Sequence, residues 1–106
     1  MMRYNVELTA EAERDVKEAF EYIAEHGPAN PDQWKQGLTA KLAAFESFPG
    51  RCGFAPETRF RDYPIYQTFY ANFRLLFVLE DKNVFVLTVR HGARREMTEN
   101  ELNERL

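Results

Sequence analysis

Cysteine is almost missing from this 106-residue chain. The single Cys52 cannot close an internal disulfide, so the fold must be held by packing and hydrogen bonds. Long apolar runs are missing too: no stretch approaches the roughly 20 residues that cross a bilayer. Met1-Met2-Arg3-Tyr4 carries no apolar signal core. The expected compartment is therefore the cytosol, with no membrane partner. Several catalytic signatures are absent as well: Cys/His metal spacing, a phosphate-cradling glycine loop, a Gly-x-Ser-x-Gly elbow and His-Glu-x-x-His. Neither a metal nor a cofactor is expected. Repeats, low-complexity tracts and linkers are lacking, which makes residues 1–106 one domain with one modest core.

A basic excess is also missing, since the net charge is −3. The distribution of charge is more informative. Residues 1–49 hold five Lys/Arg against nine Asp/Glu, and residues 51–95 hold eight against four. The chain thus has an acidic front, a basic second half and an acidic tail. An overall nucleic-acid binder shows a stronger positive balance, so any positive face here is local.

Hydrophobic residues make up 44% of the chain, with nine Phe and five Tyr. Tyr4 to Leu8 alternates apolar and polar residues, as a strand with one buried face does. Thr9 offers a helix N-cap, and Ala12, Val16, Ala19, Phe20 and Ile23 form an apolar stripe. That helix should stop near His26, before Gly27-Pro28, with His26 serving as a cap at the negative end of the dipole. Asn30-Pro31-Asp32-Gln33 restarts a helix, whose stripe is Trp34, Leu38, Leu42, Ala44 and Phe45 and whose end is Pro49-Gly50. After a connector at 51–56, residues 57–63 predict a first edge strand limited by Pro64. Three strand-like runs follow at 66–70, 73–79 and 84–90, separated by short polar breaks. Residues 96–102 allow a short helix or a frayed tail. The order β-αα-βββ(β) predicts an α+β fold, with an antiparallel helix hairpin on one face of a mainly antiparallel sheet.

Charged residues inside the greasy strands are the candidate site. Alternation puts Phe73, Leu75, Phe77 and Leu79 on the face that seats the helices. Arg74 then projects from the other face, where a guanidinium can meet a phosphate or carboxylate; the bland alternative is an ion pair with Asp62 or Glu80. In the last strand Phe85, Leu87 and Val89 share one parity, against Val84, Val86, Thr88 and Arg90. Arg90 and His91 must point to opposite faces. Histidine titrates near neutrality, which makes His91 a candidate acid/base. Arg90, Arg94 and Arg95 form a small basic patch suited to phosphate or an acidic peptide, with Arg61 a further basic candidate.

Several of these segments carry a family resemblance. The opening Tyr4-x-Val6-x-Leu8-Thr9-x-Glu11-Ala12-Glu13-x-Asp15 with Tyr22-Ile23-Ala24-Glu25 resembles the toxins of the RelE/ParE superfamily. So do the helix from Trp34 to Phe48-Pro49, the strand Phe73-Arg74-Leu75-Leu76-Phe77 and the closing Val89-Arg90-His91-Gly92-Ala93-Arg94-Arg95. The resemblance implies the toxin of a bacterial type II toxin–antitoxin module, neutralised within a hetero-oligomer by a cognate antitoxin. RelE-like members cleave mRNA, usually on the ribosome, whereas ParE-like members act on DNA gyrase. Arg74 matches the strand arginine of both branches, and His91 falls near an acid/base position of nucleolytic members. Those two are the catalytic candidates if the chain is a nuclease. Arg74, Arg90, Arg94, Arg95 and Arg61 are the target- or antitoxin-binding candidates. The acidic balance, the absence of lysine at 51–61 and the absence of Tyr or Lys after Arg95 favour the ParE-like branch. A third alternative is an inactive antitoxin-binding or dimerising module.

Overall fold

A computed structural model describes residues 3–27, 30–47 and 49–106. Met1, Met2, Pro28 and Phe48, which figured in the expectations above, lie outside the described residues. Strand β1 (Asn5–Leu8) leads into helix α1 (Ala10–His26), and α2 (Pro31–Ala43) follows. Strands β2 (Gly53–Phe54), β3 (Tyr66–Tyr70), β4 (Phe73–Glu80) and β5 (Asn83–His91) complete a five-stranded sheet, and α3 (Glu99–Asn103) closes the chain. Strand order is β1-β5-β4-β3-β2, antiparallel except where β1 runs parallel to β5. The fold is α+β. Among the described residues no helix is long and apolar enough to cross a membrane.

Local chemistry sets the helix boundaries as the sequence indicates. The Thr9 hydroxyl accepts from the Ala12 amide at 3.1 Å, and Asn30 Oδ1 accepts from the Asp32 and Gln33 amides. Each side chain thereby satisfies amides that the first turn leaves unpaired. Helix α2 stops at Ala43, and a 3₁₀ turn over Ala44–Glu46 carries on to place Phe45 in the core. Ala44, expected in the stripe, faces solvent because the tighter turn rotates it away.

Two apolar layers flank the sheet. On the helix side Ala12, Ala19, Ile23, Trp34, Leu38 and Phe45 pack against Leu75, Phe77, Val84, Val86 and Val89. On the opposite side Ala55, Ile65, Met97 and Leu102 cover Leu76, Val78 and Leu87. The alternation read for β4 therefore holds. That for β5 does not. Leu76 pairs with Thr88, but Phe77 pairs with Val86, so β5 carries one extra residue at a bulge. Beyond it Val89 packs with Val84 and Val86 rather than with Leu87.

A second correction concerns residues 57–63. Pro56–Phe60 is a 3₁₀ segment, and the edge strand is the two-residue β2 just before it. Pro56 sits at the segment's start, where its missing amide costs nothing. The Thr58 hydroxyl then donates to Ile65 O and accepts from Ile65 N, closing a compact loop. This loop turns Glu57 inward, where it is fully buried.

Candidate functional site

Arg74 does not project from an open face. The residue is 7% exposed, and its guanidinium forms two hydrogen bonds to Glu57, at 2.9 and 2.7 Å, with a third to Gln67 at 3.3 Å. The partner is neither Asp62 nor Glu80. Glu57 also accepts the Met97 amide at 2.9 Å, which fastens the C-terminal segment to the same pair. Burial alone raises the Glu57 carboxyl, but the hydrogen bonds from Arg74 and from Met97, with the Arg74 charge, outweigh it. The net result lies below the ordinary carboxylate value. Arg74 is committed to holding the 56–60 loop and the tail against the sheet.

Arg90 is directly across from Arg74 in the β4–β5 register and is equally deep, at 5% exposure. Among the described residues it has no comparable partner. Its Nε and Nη2 make no hydrogen bond, and the nearest carboxylate, Glu101, is 4.0 Å from Nη1. Burial, the charge of Arg94 and those of Arg74 and Arg105 all lower its pKa, with Glu101 the one opposing influence. Glu101 is itself engaged elsewhere. Arg95 donates to it at 2.6 Å, and Thr98 uses it in the capping box of α3. The Arg95 bond, the Thr98 contacts and the Arg95 charge hold the Glu101 carboxyl down at about 2 against the opposing effect of burial.

The expected basic patch is thus divided. Arg95 is tied to Glu101 and to the Glu96 carbonyl, and Arg61 to Asn103 and the Phe60 carbonyl. Arg94 is exposed and has no ion pair among the described residues. His91 is exposed on the helix side, its ring edge-on to Phe73 at 5.6 Å, and its Nδ1 accepts the Ala93 amide at 3.1 Å. Arg74 and His91 therefore lie on opposite faces, and the structure does not bring them together. His26, at the end of α1, stacks on Tyr22 at 4.8 Å.

What the structure does bring together is a groove at the end of β5. Since β1 pairs only as far as Val86, the outer edge of β5 beyond it has no strand neighbour among the described residues. Side chains stand in for one. Asp15 accepts from Thr88 Oγ1 at 2.6 Å and from the Val89 amide at 3.1 Å, while Arg105 donates to Leu87 O and to Asp15. Past this clamp a cavity of about 530 Å³ opens between α1 and the strand end, lined by Glu18, Ala19, Tyr22, Phe73, Arg90 and Arg94 among others. It is part apolar, with Tyr22 61% exposed, and is lined by Asp15 and Glu18 from α1 and by the exposed Arg94 beyond the strand. Among the described residues no group of three His, Cys, Asp or Glu is placed to hold a metal.

Sequence reasoning missed Glu57 and Asp15. Glu57 stood in an expected edge strand, and its only signal was a lone carboxylate after a proline. Asp15 entered only as the last residue of the opening motif, with no role of its own.

A family model described as "ParE toxin of type II toxin-antitoxin system, parDE" matches residues 6–96. No curated protein matches the chain. Among solved structures it is similar to a chain of the chromosomal ParDE toxin–antitoxin system from P. aeruginosa, with TM-score 0.64 and 14% identity over 86% of this chain and 98% of that one. It is also similar to a chain of the RelBE2 toxin–antitoxin complex from Mycobacterium tuberculosis, with TM-score 0.60 and 22% identity over 89% and 97%.

Proposed function

Because the chain belongs to the ParE toxin family of type II toxin–antitoxin systems, we propose that it acts by binding DNA gyrase and is silenced by a cognate antitoxin. The observation that carries this reading is the separation of the catalytic candidates. Arg74 is buried against Glu57, and His91 lies on the other face of the sheet. General acid–base cleavage of a phosphodiester needs its acid, base and phosphate clamp within hydrogen-bond reach of one reacting centre. A binding protein needs only surface, and the half-apolar groove at the end of β5 supplies it. An acidic chain with a local basic site also suits a protein partner better than a nucleic-acid backbone.

The test is a supercoiling assay with purified gyrase. The expected result is dose-dependent inhibition or accumulation of cleaved DNA, relieved by adding the antitoxin. Normal gyrase activity in excess of a protein that arrests growth would rule the reading out. New 5′ ends on mRNA after induction would instead support a ribosome-dependent endonuclease.

A further inference from the structure

Three of the surface cavities carry carboxylates in their walls. Asp15 and Glu18 line the groove at the end of β5, Glu7 and Glu46 the cavity beside β1, and Glu13 the one along Leu8, Val16 and Phe20. A cavity of about 300 Å³ on the helix side of β3 differs. Its lining is Lys41, Ala44, Phe45, Arg51, Cys52 and Thr68, with two cations and no acid. The chain is acidic overall, and Arg3, Arg14, Arg59, Arg74, Arg95 and Arg105 each stand within 3.3 Å of a carboxylate. Lys41 and Arg51 have no ion pair among the described residues. We propose that this cavity binds a small dianion, phosphate or a phosphomonoester, held by Lys41 and Arg51 with the Thr68 hydroxyl. The site is independent of the toxin reading above.

Separate stretches of the chain converge to make it. Lys41 lies in the last turn of α2, Ala44 and Phe45 in the 3₁₀ turn that follows, and Arg51 ends a second 3₁₀ turn over Pro49–Arg51. Thr68 comes from β3, in register with Leu75 and hence on the helix side of the sheet. Cys52 is half-buried against the same core. The volume falls at the lower end of the about 300–1,000 Å³ typical of small-molecule sites. It suits a phosphate with a short substituent rather than a length of polymer. The guanidinium fork and the ammonium point charge both match phosphate oxygens, and the threonine hydroxyl adds a donor. Ala44 and Phe45 leave an apolar wall for the substituent. Lys41 also offsets the negative end of the α2 dipole. That role does not extend to Arg51, which lies outside the helix.

Cys52 is the chain's single cysteine and lines the cavity, so its alkylation reads occupancy without ambiguity. The full chain is treated with iodoacetate, an anion, and with iodoacetamide, its neutral analogue, and modification is followed by intact mass. The ratio of the two rates cancels differences in thiol access and reactivity. It should be at least about tenfold higher for the folded chain than for the same chain in urea, because a cleft of one charge sign concentrates counter-ions. The double substitution Lys41→Gln with Arg51→Gln should return the ratio to the urea value. Inorganic phosphate should slow the iodoacetate reaction of the wild type saturably, beyond sodium chloride of matched ionic strength. Phenyl phosphate acting at lower concentration than phosphate identifies a phosphomonoester as the occupant, and phosphate acting at equal or lower concentration identifies the free ion. A ratio equal in the folded chain and in urea, a ratio unchanged by the double substitution, or phosphate no better than matched chloride overturns the proposal. The phosphate arm uses the wild type alone and stands whether or not the double variant folds.

Discussion

A buried arginine has two very different fates in this protein, and the difference lies in what stands opposite it. Arg74 meets Glu57 in a closed two-bond fork, so removing either partner leaves an orphaned charge in the interior. Glu57→Gln is expected to destabilise the fold by about 3–5 kcal/mol, measured by urea unfolding. The pair also sets an acid limit. Because the folded carboxyl titrates below its unfolded value, the stabilisation is complete above about pH 4.5 and is lost as pH falls through the folded value. Glu101 adds to this down to about pH 2. The melting temperature should therefore fall between pH 5 and pH 2, and Glu57→Gln should flatten that decline. Gly37 is a separate case. A Cβ there would clash with the Tyr70 hydroxyl, which donates to Trp34 O at 2.9 Å. Helix propensity favours Ala over Gly by about 1 kcal/mol. Overpacking costs about 1–3 kcal/mol, so Gly37→Ala should be net destabilising and should release the tyrosine hydroxyl, visible as a changed Tyr70 environment by NMR.

At the scale of the elements, what was legible in the sequence was local. Caps at Thr9 and Asn30 and the alternation of β4 are short-range chemistry, and each is found where its residues indicate. The break at 71–72 is a two-residue hairpin turn with Ala71 at positive φ, while the polar break at 80–83 narrows to a two-residue turn with Asp81 at positive φ, because Glu80 and Asn83 pair across the strands. What was not legible depended on distant partners. The extra residue in β5 exists relative to β4, and nothing in the run Val84–Arg90 marks it. Glu57 faces inward because Arg74, seventeen residues on, is there to receive it. Helix α3 is only five residues long and cannot persist by propensity alone. Leu102 and Met97 hold it against Ala55, Ile65 and Leu76. Leu102→Ala should cost about 2–5 kcal/mol, and hydrogen exchange should show the 97–105 segment losing protection before the sheet does.

Over the whole molecule, the swing of charge along the chain becomes an arrangement in space. The acidic tail lies over the basic second half through Arg59–Glu96, Arg95–Glu101 and Arg61–Asn103, and Arg105 closes on Asp15 of the acidic front. Of the arginines that looked like binding candidates, Arg95 is neutralised by the tail and Arg74 by Glu57, while Arg61 is held by the neutral Asn103 amide. Arg90 remains enclosed, and Arg94 remains exposed at the groove beside α1. That is why the separation of Arg90 from His91 was readable from strand parity, whereas the loss of Arg74, Arg95 and Arg61 to structure was not.

The central claim is that Arg74 belongs to the scaffold and that toxicity is exerted by binding. Replacing the pair with apolar residues of similar volume, Glu57→Leu with Arg74→Met, removes both charges together and should leave a folded protein. The decisive measurement is gyrase supercoiling in the presence of this double variant. The account predicts inhibition at the same dose as the wild type, with cellular transcripts uncut by either protein. A folded double variant that no longer inhibits, beside a wild type that cleaves mRNA, would contradict it.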